Sequence, residues 1–133
     1  MTFSFDGMEK QKFQLEFSMR CVPVPLLWNY ISSASGLKEW FADRVSVSGK
    51  TYTFDWNGQE QSATLLSMRT EQSIRFRWTD AGDRSYFEMR ISVSELTDYT
   101  TLTVVDFAEA SELDDAKELW ETQVDTLRRV LGC

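Results

Sequence analysis

The stretch VPLLWNYISSASGLKEWFAD, residues 24–43, reads as two short helices set into a chain whose neighbouring segments alternate like β-strands. Pro23 ends any strand that precedes it, and Pro25 suits the first turn of a helix, where its missing N–H costs nothing. Leu27, Trp28 and Ile31 then make an apolar helical stripe. Ser32, Ser33 and Ala34 break that stripe, and Ser35 is the expected N-cap of a second helix carrying Leu37, Trp40 and Phe41 at i, i+3 and i+4. Core packing is the simpler reading of both Trp28 and Trp40.

On the N-terminal side, residues 12–19 alternate, with Phe13, Leu15, Phe17 and Met19 on one face and polar side chains on the other. Residues 1–11 are expected to be extended or poorly ordered. On the C-terminal side, turn chemistry sets the register of several strands. Asn57-Gly58 is a strong signal for a two-residue hairpin, which places Trp56 opposite Gln59, Phe54 opposite Gln61 and Tyr52 opposite Ala63. A tight turn at Gly49-Lys50 sets Val47 against Tyr52 and Val45 against Phe54. A turn at Thr70-Glu71 pairs Ser67 with Ile74, Leu65 with Phe76 and Ala63 with Trp78, and a loop over residues 80–83 brings Phe76 to Phe87 and Ile74 to Met89. Since a slip of one residue would turn every side chain over, the agreement among these turns is informative. They assign one face to Tyr52, Phe54, Trp56, Leu65, Ile74, Phe76, Trp78, Phe87, Met89 and Ile91. Thr51, Thr53, Asp55, Arg75, Arg77, Glu88 and Arg90 take the other, which is expected to meet solvent. Leu66 and Met68 fall on the polar side and point to a bulge, a local patch or a slipped register. The last strand, residues 100–107, admits two registers, one of which turns Asp106 inward.

Leu113, Ala116, Trp120, Val124, Leu127 and Leu131 recur at helical spacing, widened by Leu119 and Val130, and Gly132 is the expected stop. This helix is the natural cover for the aromatic face. Asp114, Asp115 and Glu118 in its first turns and Arg128 and Arg129 in its last complement the helix dipole. The pattern is α+β, a sheet flanked by helices, and 133 residues suit a single domain spanning 1–133.

Composition removes several functions. The chain carries 21 acidic and 14 basic residues, for a net charge of −7, which disfavours a nucleic-acid backbone as partner. It has no histidine, so histidine triads, histidine metal ligands and a histidine general base are absent. No apolar run approaches the roughly 18 residues needed to cross a bilayer. Integral membrane association is therefore not expected, and with no signal-peptide pattern the expected location is cytoplasmic. Cys21 and Cys133 are read as unpaired thiols. Phosphate-binding glycine loops, paired-cysteine motifs and nucleophile elbows are missing. The acids of residues 106–121 lack the ligand spacing of a calcium loop, and no metal or cofactor is expected. Arg75, Arg77, Glu88 and Arg90 are read as cross-strand pairs without a functional role.

The candidate site is the aromatic face with its cover and end wall. Its lining candidates are Tyr52, Phe54, Trp56, Leu65, Phe76, Trp78, Phe87 and Met89 from the sheet, and Trp120, Gln123 and Val124 from the closing helix. Trp28, Trp40 and Phe41 supply the end. Gln59, Gln61, Ser67 and Gln123 are the polar groups placed to orient a ligand. For proton transfer the candidates are Asp106, Tyr52 and Tyr86.

The order of strand, two short helices, six strands and a long helix, with LKEWF at 37–41 and the closing Leu119-Trp120, Leu127 and Val130-Leu131-Gly132, resembles the START-like superfamily. Within it, the chain is similar to the branch related to the C-terminal domain of heat-shock protein 90 ATPase activators, in its compact Bacteroidetes form. The resemblance implies a helix-grip fold, about seven strands curved around the last helix. It also implies a space between sheet and helix that holds a hydrophobic molecule, lipid-like or aromatic, bound without catalysis. A protein-interaction or chaperone-accessory module is the alternative, with a protein as partner, and a cyclase- or hydrolase-like enzyme is a further one.

Overall fold

The computed structural model describes residues 10–19, 22–81 and 84–133. Seven antiparallel strands form one curved open sheet in the order β1-β7-β6-β5-β4-β3-β2. They are β1 (Lys10–Ser18), β2 (Arg44–Ser48), β3 (Thr51–Trp56), β4 (Gln59–Arg69), β5 (Ser73–Trp78), β6 (Phe87–Val93) and β7 (Thr100–Glu109). Two short helices, α1 (Val24–Ser32) and α2 (Ala34–Leu37), stand between β1 and β2, and α3 (Leu113–Leu131) follows β7 through a single 3-10 turn. Lys10 and Gln11 belong to β1; the rest of the expected lead-in lies outside the described residues.

The first helices form where the prolines and serines direct, with one shift. Pro25 occupies the first turn of α1, and Leu27 and Ile31 are fully buried. The N-cap of α2 is Ser33 rather than Ser35: its Oγ accepts from the Gly36 backbone N–H at 3.0 Å. That earlier cap leaves a helix of four residues, so Trp40 and Phe41 lie in the turn that follows it. Both are nonetheless buried. Gly36 is where the two helices touch, because a Cβ there would stand 2.3 Å from the Asn29 carbonyl oxygen.

The hairpin registers follow the turn residues. Asn57 and Gly58 have φ of 54° and 88°, the left-handed pair that a type I′ turn requires, and Trp56 pairs with Gln59. Val47 pairs with Tyr52, Ala63 with Trp78, Leu65 with Phe76, and Phe76 with Phe87. The expected pairing of Ser67 with Ile74 is corrected. The turn is one residue longer, closing Arg69 on Ser73 with Glu71 at φ 63°, and a bulge between Leu65 and Ser67 absorbs the difference. Met68 therefore stands opposite Ile74 and joins the apolar face, yet it stays 42% exposed, beside Leu66 at 39%.

In β7 the open choice is settled by its neighbours. Leu102 pairs with Ile91 and Val104 with Met89, so the same alternation turns Asp106 inward. Helix α3 buries Trp120, Val124 and Leu127 against the sheet, whereas Leu119 and Val130 are exposed and do not widen its packed stripe. At its end Gly132 takes φ 75°, and the Cys133 and Gly132 N–H groups donate to the Arg128 and Arg129 carbonyls. Arg128 then reaches β1, donating to the Ser18 carbonyl through Nε and Nη2.

Two further expectations are corrected. Glu88 is buried, at 6% exposure, because Arg75 and Arg90 close over it at 2.6 and 2.9 Å. Arg75 also lies 4.0 Å from the Tyr86 ring centre, so this part of the outer face is a packed layer. Cys133 is disulfide-bonded rather than a free thiol, and Cys21, the chain's other cysteine, lies outside the described residues. Among the described residues no helix is long and apolar enough to cross a membrane.

Candidate functional site

Strands β3, β5 and β7 run in the same direction within the antiparallel order, so their C-terminal ends lie at one end of the sheet. Those ends carry Trp56, Trp78 and Asp106. Helix α3 starts from the same end and brings Trp120, and the turn after α2 brings Trp40 and Phe41. Four of the chain's five tryptophans thus meet at one edge of the core.

Phe41 is the centre of this assembly. Its ring lies 5.0 Å from Phe54, 5.6 Å from Trp56, 5.7 Å from Trp120 and 6.0 Å from Phe87, between centroids. These spacings are those of favourable aromatic contacts, worth ~0.5–1.5 kcal/mol each beyond burial. Its carbonyl oxygen accepts from Trp56 Nε1 at 2.7 Å and from Gln123 Nε2 at 3.1 Å. One peptide carbonyl therefore ties β3 and α3 to the α2 turn.

Beside this cluster is an open cleft of about 680 Å³. It is walled by Trp40, Phe41, Trp56, Trp78 and Trp120, with Leu119, Gln123 and Thr126 from α3 on one side and residues 38, 39, 42 and 43 on the other. Gln61 and Asp106 complete it. Of the lining candidates named from sequence, Trp40, Phe41, Trp56, Trp78, Trp120 and Gln123 reach this wall. Phe54, Phe76, Phe87, Met89, Tyr52 and Val124 lie behind it in the packed interior, every one at most 5% exposed. Leu65 and Trp28 are half-buried and pack on the core away from the cleft. The space is thus at the end of the helix–sheet interface rather than along it, because stacked rings such as Phe76 on Phe87, 5.0 Å apart, fill the middle.

Asp106 is the charged group deepest in this site. Oδ2 accepts from Trp120 Nε1 at 2.8 Å and Oδ1 from the Phe107 backbone N–H at 2.7 Å. Burial pushes its pKa above the ordinary aspartate value, opposed by those two hydrogen bonds and by the more distant Lys10 ammonium. No ion pair reaches it among the described residues. Sequence left its direction open, and the informative signal was the pairing partner of β7. Tyr52 donates to the Ser32 carbonyl at 2.9 Å, and burial raises its pKa. Tyr86 packs against Phe107 on the outer face. The three proton-transfer candidates are therefore not brought together. Among the described residues no cluster of acids and cysteines is arranged to hold a metal.

The family model of the START-like superfamily domain matches residues 7–133. The solution structure of BfR322 from Bacteroides fragilis is 42% identical, with 93% of each chain covered and a TM-score of 0.67. DynU16, encoded in the dynemicin biosynthetic locus, superposes with a TM-score of 0.77 at 22% identity, over 91% of this chain and 47% of its own. The chain thus spans about half the length of DynU16. The Aha1 dimer from Colwellia psychrerythraea gives a TM-score of 0.73 at 13% identity, over 88% of this chain and 92% of that one, a likeness of fold. No curated protein matches. From its sequence model and its 42% identical relative, the chain belongs to the START-like superfamily.

Proposed function

We propose that this protein binds a small hydrophobic molecule, lipid-like or aromatic, in the cleft at the end of the sheet, and performs no chemistry on it. The observation that carries this reading is the wall of four tryptophans around an open space of about 680 Å³. Ligand sites of roughly 300–1,000 Å³ lined by aromatic side chains with a few polar groups are the usual form of small-molecule pockets. Apolar surface removed from water there contributes about 25 cal/mol per Å². The separation of Asp106, Tyr52 and Tyr86 supports binding over catalysis, since proton transfer needs its groups within reach of one reacting centre.

The test is a panel of fatty acids, aromatic metabolites and lipid extracts, read by the melting temperature and by tryptophan fluorescence. A ligand in the cleft raises the first and alters the second, because it stacks on the indoles directly. If the whole panel changes neither, the reading falls.

A further inference from the structure

The polar chemistry of the cleft is unequal in a way that selects among hydrophobic ligands. Three of its four indole N–H groups are already used inside the protein. Trp40 Nε1 donates to the Tyr30 carbonyl at 2.8 Å, Trp56 Nε1 to the Phe41 carbonyl, and Trp120 Nε1 to Asp106. Gln123 spends an N–H on that same Phe41 carbonyl, which leaves its amide oxygen available. Those three indoles offer a ligand ring surface, and Gln123 keeps its oxygen and one N–H; the charged acceptor among the half-buried groups of the wall is Asp106. A carboxylate has about four lone-pair positions, and the two donors on Asp106 leave about half of them open. No ion pair reaches the Asp106 carboxylate among the described residues, the Lys10 ammonium acting only from further away.

From this, and resting on the binding reading above, we infer that the cleft takes an organic ammonium ion, an amine carried on an aromatic or aliphatic body. The ammonium donates to the Asp106 carboxylate and lies against the indole rings, and the body occupies the apolar wall. Indole is the best of the aromatic side chains for attracting a cation, and the attraction strengthens where water is excluded. The rim agrees in sign. Lys38 is outnumbered by Glu39, Asp43 and Asp106 on the cleft wall, and the whole chain carries −7, so the field favours a cation over an anion. A carboxylate ligand would instead meet Asp106 with like charge. A neutral ligand would leave that half-buried charge with its two hydrogen bonds but no counter-ion.

The experiment compares phenylbutylammonium, phenylbutanol and phenylbutanoate by tryptophan fluorescence titration at neutral pH and low salt, on the wild type and on Asp106→Asn. The three share one apolar body and differ in charge. The ammonium is expected to bind at least about tenfold tighter than the alcohol, with the carboxylate weakest. Asp106→Asn should bring the ammonium to within about twofold of the alcohol measured on the same variant, and cooperative urea unfolding with the wild-type slope shows that the variant is folded. An ammonium that fails to bind, that binds no tighter than the alcohol, or that keeps its advantage in Asp106→Asn overturns the inference. Binding of the alcohol without any preference for the cation removes the inference alone and keeps the hydrophobic site. Silence from all three and from the wider panel removes both.

Discussion

Asp106 shows how one residue acquires its properties from its surroundings. Loss of hydration is the largest influence on its carboxyl and raises the pKa; the Trp120 and Phe107 donors act in the opposite direction. The consequence for stability has a definite sign. With a folded-state pKa above the unfolded value of about 3.9, the native state holds the proton more tightly. The stabilisation due to this group is complete below the unfolded pKa and is lost as pH rises through the raised folded value. Asn carries no such titration. The wild type should therefore lose stability relative to Asp106→Asn as the pH rises through that window, measured as the difference in their unfolding free energies, which subtracts the other acids. A difference that is flat, or that grows in the other direction, contradicts the burial of a titrating carboxyl.

Among the elements, the α1–α2 corner is tightly constrained at Gly36. The position of a Gly36 Cβ would fall 2.3 Å from the Asn29 oxygen and 2.5 Å from the Tyr30 Cα, both backbone atoms that cannot rotate away. Gly36→Ala is expected to destabilise the fold by about 1–3 kcal/mol in urea unfolding. Ser35→Ala, at an exposed neighbouring position, should stay within about 0.5 kcal/mol. Opening the corner should also disturb the Trp40 bond to Tyr30, and with it the emission of the cleft. Much at this scale was legible in sequence. Asn57-Gly58, Gly49-Lys50 and the two prolines act through local backbone geometry, which needs no distant partner. The Ser33 cap and the bulge at Leu66 were harder to read, since Ser33 and Ser35 are chemically equivalent caps and the close approach of Gly36 to the α1 backbone is a contact between elements. The bulge and the longer Thr70 turn cancel, so Leu65 and Phe76 pair as expected while Ser67 and Met68 do not.

For the whole molecule, the cleft exists because the same-direction ends of β3, β5 and β7 collect large side chains where α3 begins. Thr126, half-buried on α3, lines its mouth without belonging to the packed core. Thr126→Trp should fill that mouth and weaken ligand binding by about tenfold or more, while unfolding free energy changes by less than about 1 kcal/mol. Unaltered affinity in a folded variant would place the ligand elsewhere. The sequence by itself determined the α+β order, the two helices between the first strands, most hairpin registers and the buried face of α3, because periodicity and turn residues are properties of neighbours in the chain. Tertiary structure alone decided that Phe54, Phe76 and Phe87 fill the interior while Trp40, Trp56, Trp78 and Trp120 are left at its edge. It also decided that Asp106 turns toward them. Both depend on which residues distant in sequence compete for the same space, and that competition is settled only when helix and sheet close on each other.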